Sequence, residues 1–282
     1  MLSLVPLGGC PLNIPLKRLY RRKLLTSAFR EAGFKEWPLA LSSADAAQLV
    51  QFGLGRIDIP ERLNRFCYRD PNGGPAPSGS EAFSRAAFIL VEMSTPVVIM
   101  FGGHVMNHNH FNNFLKQCSA DDPQDIQREL MVWRYQGLQL QDEAKRAALA
   151  AKLLGHYSAK PDTPEILLEL IERARGRSLT AGDMTNDLAA IRAALKLPMA
   201  IVLHHYNYLP GARPVSFPAN FLADTMEVAK RLGVPFYDPA PLVQRHGTDA
   251  AMEADMRHYK KDFNEIVADE YLRFLIRVSE EA

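Results

Sequence analysis

The sequence predicts a three-layer α/β fold, with a mostly parallel, doubly wound sheet covered on both faces. Three observations predict it. Short apolar runs that read as buried strands alternate along the chain with amphipathic stretches that read as helices. The first apolar run stops at Gly8-Gly9-Cys10 and opens directly into a helical pattern, the start of a doubly wound unit. Phe88 to Met93 is a continuous interior run of the kind found in strands buried on both sides. With 282 residues, 47 % hydrophobic and 23 % charged, the chain can bury a full core, and one domain over 1–282 is expected.

The elements follow in order. Ser3 to Leu7 is the first strand, stopped by two glycines. Asn13 to Ala32 reads as a helix, with Pro15 in the first turn, an apolar stripe of Leu16, Leu19, Leu24 and Phe29, and Gly33 at its end. Trp37 to Ser42 is a candidate second strand, and Asp70 to Ser80, rich in Pro, Gly and Asn, is a surface loop. Phe88 to Met93 is the clearest central strand. From about 121 to 196 the chain reads as a helical insertion, with helices over Pro123–Leu154, Thr163–Arg175 and Thr180–Leu195. Asp162-Thr163-Pro164-Glu165 carries the marks of a helix start. Met199 to Leu203 is a buried strand, Ala219 to Leu232 a helix closed by Gly233, Val234 to Tyr237 a strand, and Asp262 to Val278 the closing helix.

Composition excludes some functions. A net charge of +1 offers no global attraction to nucleic acid or to an anionic membrane. Three scattered cysteines, Cys10, Cys67 and Cys118, build neither a disulfide framework nor a zinc site, which suits a reducing compartment. No run approaches the roughly 20 apolar residues of a membrane helix. Leu7-Gly8-Gly9-Cys10 has the outline of a lipoprotein cleavage box, but no Lys or Arg precedes it and the apolar run is short. A cytoplasmic protein without a membrane span is the expectation.

Four constellations could carry chemistry. Cys10 sits where a strand ends and a helix begins. Free N–H groups and positive potential there lower a thiol's pKa, and any of Lys17, Arg18, Arg21, Arg22 and Lys23 that face the turn would add positive charge. A buried, inert cysteine is the alternative. Asp255-x-x-His258 offers a base and its orienting carboxylate on one turn. The loop from Gly102 to His110 holds His104, His108 and His110, a conceivable metal cluster but without a nearby acid. In the same loop Asn107 could donate to a developing oxyanion. His204, His205, Tyr206, Asn207 and Tyr208 follow a strand and could line a substrate pocket, with His104 beside them.

The order of these motifs resembles the SGNH (GDSL-type) hydrolase superfamily, which has a Gly-Asp-Ser block after its first strand, then a Gly, an Asn-bearing block, and Asp-x-x-His near its C-terminal end. Gly8-Gly9-Cys10, then Gly53 or Gly55, then Asn107, then Asp255 and His258 stand at the corresponding places. Cys replaces Ser and Gly9 replaces Asp, and the cysteine resembles that of the GSCFA-type and capsule-biosynthesis branches. The resemblance implies an SGNH- or flavodoxin-like sheet. It implies acyl-group chemistry, with Cys10 as nucleophile, His258 as base and Asp255 orienting it. Gly53 or Gly55, Asn107 and the Cys10 N–H would form the oxyanion hole. It requires no cofactor and no metal. Acyl-coenzyme A or a carrier-protein thioester would serve as donor, and a glycan or small molecule as acceptor, by transfer or hydrolysis. The alternatives are a non-catalytic glycan- or carrier-binding module and a metal-dependent hydrolase through His104, His108 and His110.

Overall fold

The structure, a computed structural model, describes residues 1–31, 38–68, 83, 85–204, 220–255 and 258–281. Strand β1 (Leu2–Leu7) leads through the glycine turn into helix α1 (Cys10–Arg21). The helix therefore begins three residues earlier than the periodicity predicts. Pro11 takes the first-turn place and Pro15 lies inside the helix. Pro15 has no N–H for the Pro11 carbonyl, and that carbonyl instead faces the Tyr271 hydroxyl at 3.5 Å.

The predicted long helix to Ala32 is also broken. Lys23 adopts a left-handed conformation with φ 58°. Its N–H donates to Tyr20 O, and Leu24 N–H donates to Leu19 O, the paired bonds of a Schellman cap. The chain then turns into β2 (Leu25–Ser27) and the short α2 (Ala28–Glu31). Trp37, the start of the predicted second strand, and the loop 70–80 lie outside the described residues. Of 38–42, only Leu39 makes an isolated bridge, to Gly8.

Next come α3 (Ser43–Gly53), α4 (Glu61–Cys67) and β3 (Phe88–Met93). β4 (Val97–Phe101) and β5 (His104–Met106) form a hairpin, and β5 lies within the Gly102–His110 stretch that the sequence presents as a loop. A helical layer follows: α5 (His108–Cys118), α6 (Gln124–Tyr135), α7 (Glu143–Ser158) and α8 (Glu165–Arg173). The predicted 123–154 helix is thus two helices, parted by the turn at Gly137–Gln139. Arg175–Ser178 is strand β6, which pairs with β4. α9 (Ala181–Leu195) opens with a capping box made by Thr180 and Asp183 and packs on α3. β7 (Met199–Leu203), α10 (Phe221–Leu232), β8 (Phe236–Tyr237), α11 (Ala240–His246), α12 (Thr248–Ala251) and α13 (Phe263–Glu281) complete the order.

The main sheet runs β2-β1-β3-β7-β8, with every pairing parallel; the second is antiparallel, β5-β4-β6. Alternate residues of the main sheet enter two cores. Leu4, Phe88, Leu90 and Val202 join residues of α1 and α13. Val5, Leu7, Ile89, Val91 and Ile201 join the core formed with α3, α9 and α10. This period-two division produces the predicted cover on both faces.

Candidate active site

The carboxyl ends of β1, β3 and β7 meet at one place. There β1 gives way to Gly8-Gly9-Cys10, β3 ends near Glu92, and His204 follows β7. Glu92 shares strand parity with Phe88 and Leu90, so it points to the α1 side, and its side chain is 1 % exposed. One carboxylate oxygen accepts the Gly9 N–H at 2.7 Å; the other meets His204 Nδ1 at 2.7 Å. The glycines make this approach possible. A Cβ on Gly8 would lie 2.8 Å from Glu92 Cβ and 2.6 Å from Leu12, and one on Gly9 would lie 3.4 Å from Glu92 Oε2.

Cys10, half-buried, is the first residue of α1. The first intrahelical bond of that turn runs from Asn13 N–H to Gly9 O, so the Cys10 and Leu12 N–H groups precede the helical ladder. The thiol is not activated as the helix terminus alone would predict. Burial and the negative charge of Glu92 push its pKa above the ordinary 9.0, and Lys17 opposes them only in part. A thiol in that state needs a base to take its proton.

Asp255 and His258 form the pair the spacing implies. His258 Nδ1 meets Asp255 Oδ2 at 2.6 Å, and the His258 N–H donates to Asp255 Oδ1 at 3.2 Å. The pair is open to solvent, with side chains 42 % and 46 % exposed. Among the described residues no hydrogen bond joins Cys10 Sγ to His258. The neighbouring Tyr259 is buried, and burial together with the Glu92 charge raises its hydroxyl pKa far above the usual range. Tyr271 on α13 reaches the carbonyl of Pro11, the residue after Cys10.

The profile of a family described as the TviD N-terminal domain matches residues 2–274. The chain belongs to the TviD N-terminal domain family. It is similar to the Vi polysaccharide biosynthesis protein TviD of Salmonella typhi, 25 % identical over 278 residues, which is 95 % of this chain and 31 % of that protein. The chain thus spans about a third of the relative's length. No solved structure matches.

Within this TviD N-terminal domain the middle of the predicted site is rearranged. Asn107 is fully buried and caps α5; its carbonyl accepts Asn109 and His110 N–H groups, and its amide donates to Leu39 O and Asp45. It holds the fold and has no amide hydrogen left for an oxyanion. Gly53 and Gly55 end and follow α3, about 15 Å of helix from its start at the 1.5 Å rise per residue. It is the start that lies near the glycine turn, because Leu41, just before α3, packs on Gly9 and accepts from Ser94 and Thr95 N–H. Gly53 is small to admit the Phe83 ring, which a Cβ there would meet at 2.8 Å, and Gly55 serves a turn at φ 66°.

The metal reading also fails on geometry. Both ring nitrogens of His108 are taken, by Val97 O at 2.8 Å and Arg134 at 3.0 Å. Burial, then Arg134, lower its pKa to about 3. His104 lies in the second sheet, paired with Phe101. Of the predicted substrate residues, His204 joins the Cys10 turn through Glu92, while His205 and Tyr206 lie outside the described residues. Motif reasoning misses Glu92, although one carboxylate in Phe88-Ile89-Leu90-Val91-Glu92-Met93 is a usable signal. A cleft of about 800 Å³ opens at the opposite, amino end of the sheet, lined in part by Arg192, Lys196, Pro198 and Pro235. Its described lining holds no carboxylate, His or Cys. Among the described residues no helix is long and apolar enough to cross a membrane.

Proposed function

We propose that this domain is an acyl-group enzyme of polysaccharide biosynthesis, moving an acyl group to or from a glycan through a Cys10 thioester. The observation that carries the reading is the 2.6 Å contact between Asp255 and His258 Nδ1, which leaves Nε2 as the proton acceptor. Its setting in polysaccharide biosynthesis is taken from the named relative.

His258 Nε2 takes the Cys10 proton and Asp255 stabilises the imidazolium. The thiolate attacks the acyl carbonyl, and the oxyanion is met by the Cys10 and Leu12 N–H groups at the start of α1. Collapse expels the donor's leaving group, which takes the proton from His258. A glycan hydroxyl, deprotonated by His258, then attacks the thioester and frees Cys10; water in its place gives hydrolysis. A thioester donor such as acyl-coenzyme A or an acyl carrier matches the acyl-enzyme bond type, which favours transfer. The chemistry requires His258 Nε2 within about 3 Å of Cys10 Sγ. Support for that approach comes from Tyr259 and Tyr271, which tie the segment after His258 to the face that carries Cys10.

The test uses p-nitrophenyl acetate and acetyl-coenzyme A as donor probes. Cys10→Ala and His258→Ala, each shown folded by circular dichroism, should lose about 10²-fold or more of the turnover. Undiminished turnover in either variant overturns the reading. A binding module would show no turnover in the wild-type protein while retaining glycan affinity.

A further inference from the structure

We infer that Glu92 is a positioning residue for the nucleophile: its buried carboxylate fixes the turn that presents Cys10, and its charge sets the reactivity of the thiol. The inference rests on the reading of Cys10 as nucleophile and adds a residue outside the Cys10, His258 and Asp255 set.

Glu92 is the polar member of an otherwise apolar strand, and both of its oxygens are in use. Oε2 holds the Gly9 peptide, one residue before Cys10, and Oε1 holds His204, at the exit of β7. One carboxylate therefore links the first, third and seventh strands at their carboxyl ends. Two consecutive glycines make room for it, since a Cβ at Gly8 would come within 2.9 Å of Oε2. A side chain that served packing alone would not need a bare backbone opposite it. Burial of a carboxylate in an apolar strand costs free energy unless its oxygens are hydrogen-bonded, and the Gly9 N–H and His204 Nδ1 supply those contacts.

The groups around the thiol are Glu92 from β3, His204 beside it, Lys17 on α1 itself, and Tyr259 and Tyr271 from the segment packed on α1. Burial raises the thiol's pKa most, the Glu92 charge adds to it, and Lys17 opposes both. In the resting enzyme Cys10 is thus a protected thiol that reacts when a base takes its proton, and adventitious alkylation or oxidation is slow.

The experiment measures iodoacetamide alkylation at Cys10 by peptide-resolved mass spectrometry, with Cys118 of the same molecules as internal reference. No acyl donor is present. Glu92→Gln keeps the shape, with an oxygen to accept the Gly9 N–H and an amide to face His204 Nδ1, and removes the charge. Each unit of fall in the thiol pKa gives tenfold more thiolate, partly offset by weaker nucleophilicity, for a net acceleration of about threefold. The expected result is faster alkylation of Cys10 in Glu92→Gln at pH 7.5, with Cys118 unchanged. Glu92→Asp, which retains the charge but withdraws it from Gly9, should leave Cys10 alkylation slow while acyl turnover falls. Equal Cys10 rates in Glu92→Gln and wild type overturn the inference, as does equal acceleration at Cys118, which would report general loosening.

Should Glu92→Gln fail to fold, Glu92→Asp decides: Cys10 alkylation as slow as in the wild type supports the inference, and acceleration at Cys10 alone, with the charge retained, overturns it. These rates stand apart from the acyl-transfer reading, which fails separately if Cys10→Ala turns over normally.

Discussion

Asp45 shows how a residue near the site is used for the fold. It is buried, accepts the Leu41 N–H at 3.0 Å and the Asn107 amide at 2.9 Å, and so ties α3 and α5 to the segment that lies on Gly9. Burial raises its carboxyl pKa to about 7 against those two bonds, which lower it. The folded state therefore holds the proton more tightly than the unfolded chain does. Its stabilising contribution is complete below the unfolded value of 3.8 and is lost as pH rises through about 7. Asp45→Asn should remove that dependence. Denaturant curves at pH 5 and pH 8 should show the variant gaining about 2 kcal/mol relative to wild type between them. A constant difference would mean that Asp45 is ionised throughout. Legibility at this scale follows chemistry that is local in sequence. The Asp255–His258 pair is readable because both partners share one turn. The Glu92–His204 pair is not, because its partners are joined only when β3 and β7 pair. Asn107 has the right residue type for an oxyanion donor, but its engagement with Leu39 and Asp45 exists only in the folded chain.

Elements are legible where glycine, proline or an unbroken apolar run marks them. β3, β7 and the Gly233 stop of α10 fall where the sequence places them. The misplaced boundaries have specific causes. α1 ends on Lys23 in the left-handed region, without the glycine that ordinarily signals such a cap. The helical period of Leu16, Leu19 and Leu24 therefore runs past the real stop. Lys196 ends α9 in the same way, at φ 56°. β4, β5 and β6 are short, and neither His104–Met106 nor Arg175–Ser178 has a run of apolar residues; their pairing is supplied from outside. Lys23→Gly should relieve the left-handed penalty and stabilise the protein by about 1 kcal/mol, read as a raised Tm. A lowered Tm would mean that the Lys23 side chain, and not the backbone conformation, matters at the cap.

For the molecule as a whole, the doubly wound sheet is readable from strand–helix alternation, because a sheet buried on both faces needs apolar strands and amphipathic covers. The antiparallel second sheet is not, so the 121–196 segment is less purely helical than patterning implies. It contributes β6 to that sheet, and its last helix packs on α3. The architecture gathers Gly8-Gly9-Cys10, Glu92 and His204 at the carboxyl rim, and ties Tyr259 and α13 to the same face. It also explains why an acyl-group site here would be base-dependent: the rim partly buries the thiol and carries a negative charge beside it. The central claim is a covalent acyl-enzyme on Cys10. Acid quenching after mixing with acetyl-coenzyme A, followed by intact-mass and peptide mass spectrometry, tests it most directly. An acetyl adduct on the Cys10 peptide of the wild type, absent from Cys10→Ala, is the predicted result; an adduct that still accumulates in Cys10→Ala would contradict it.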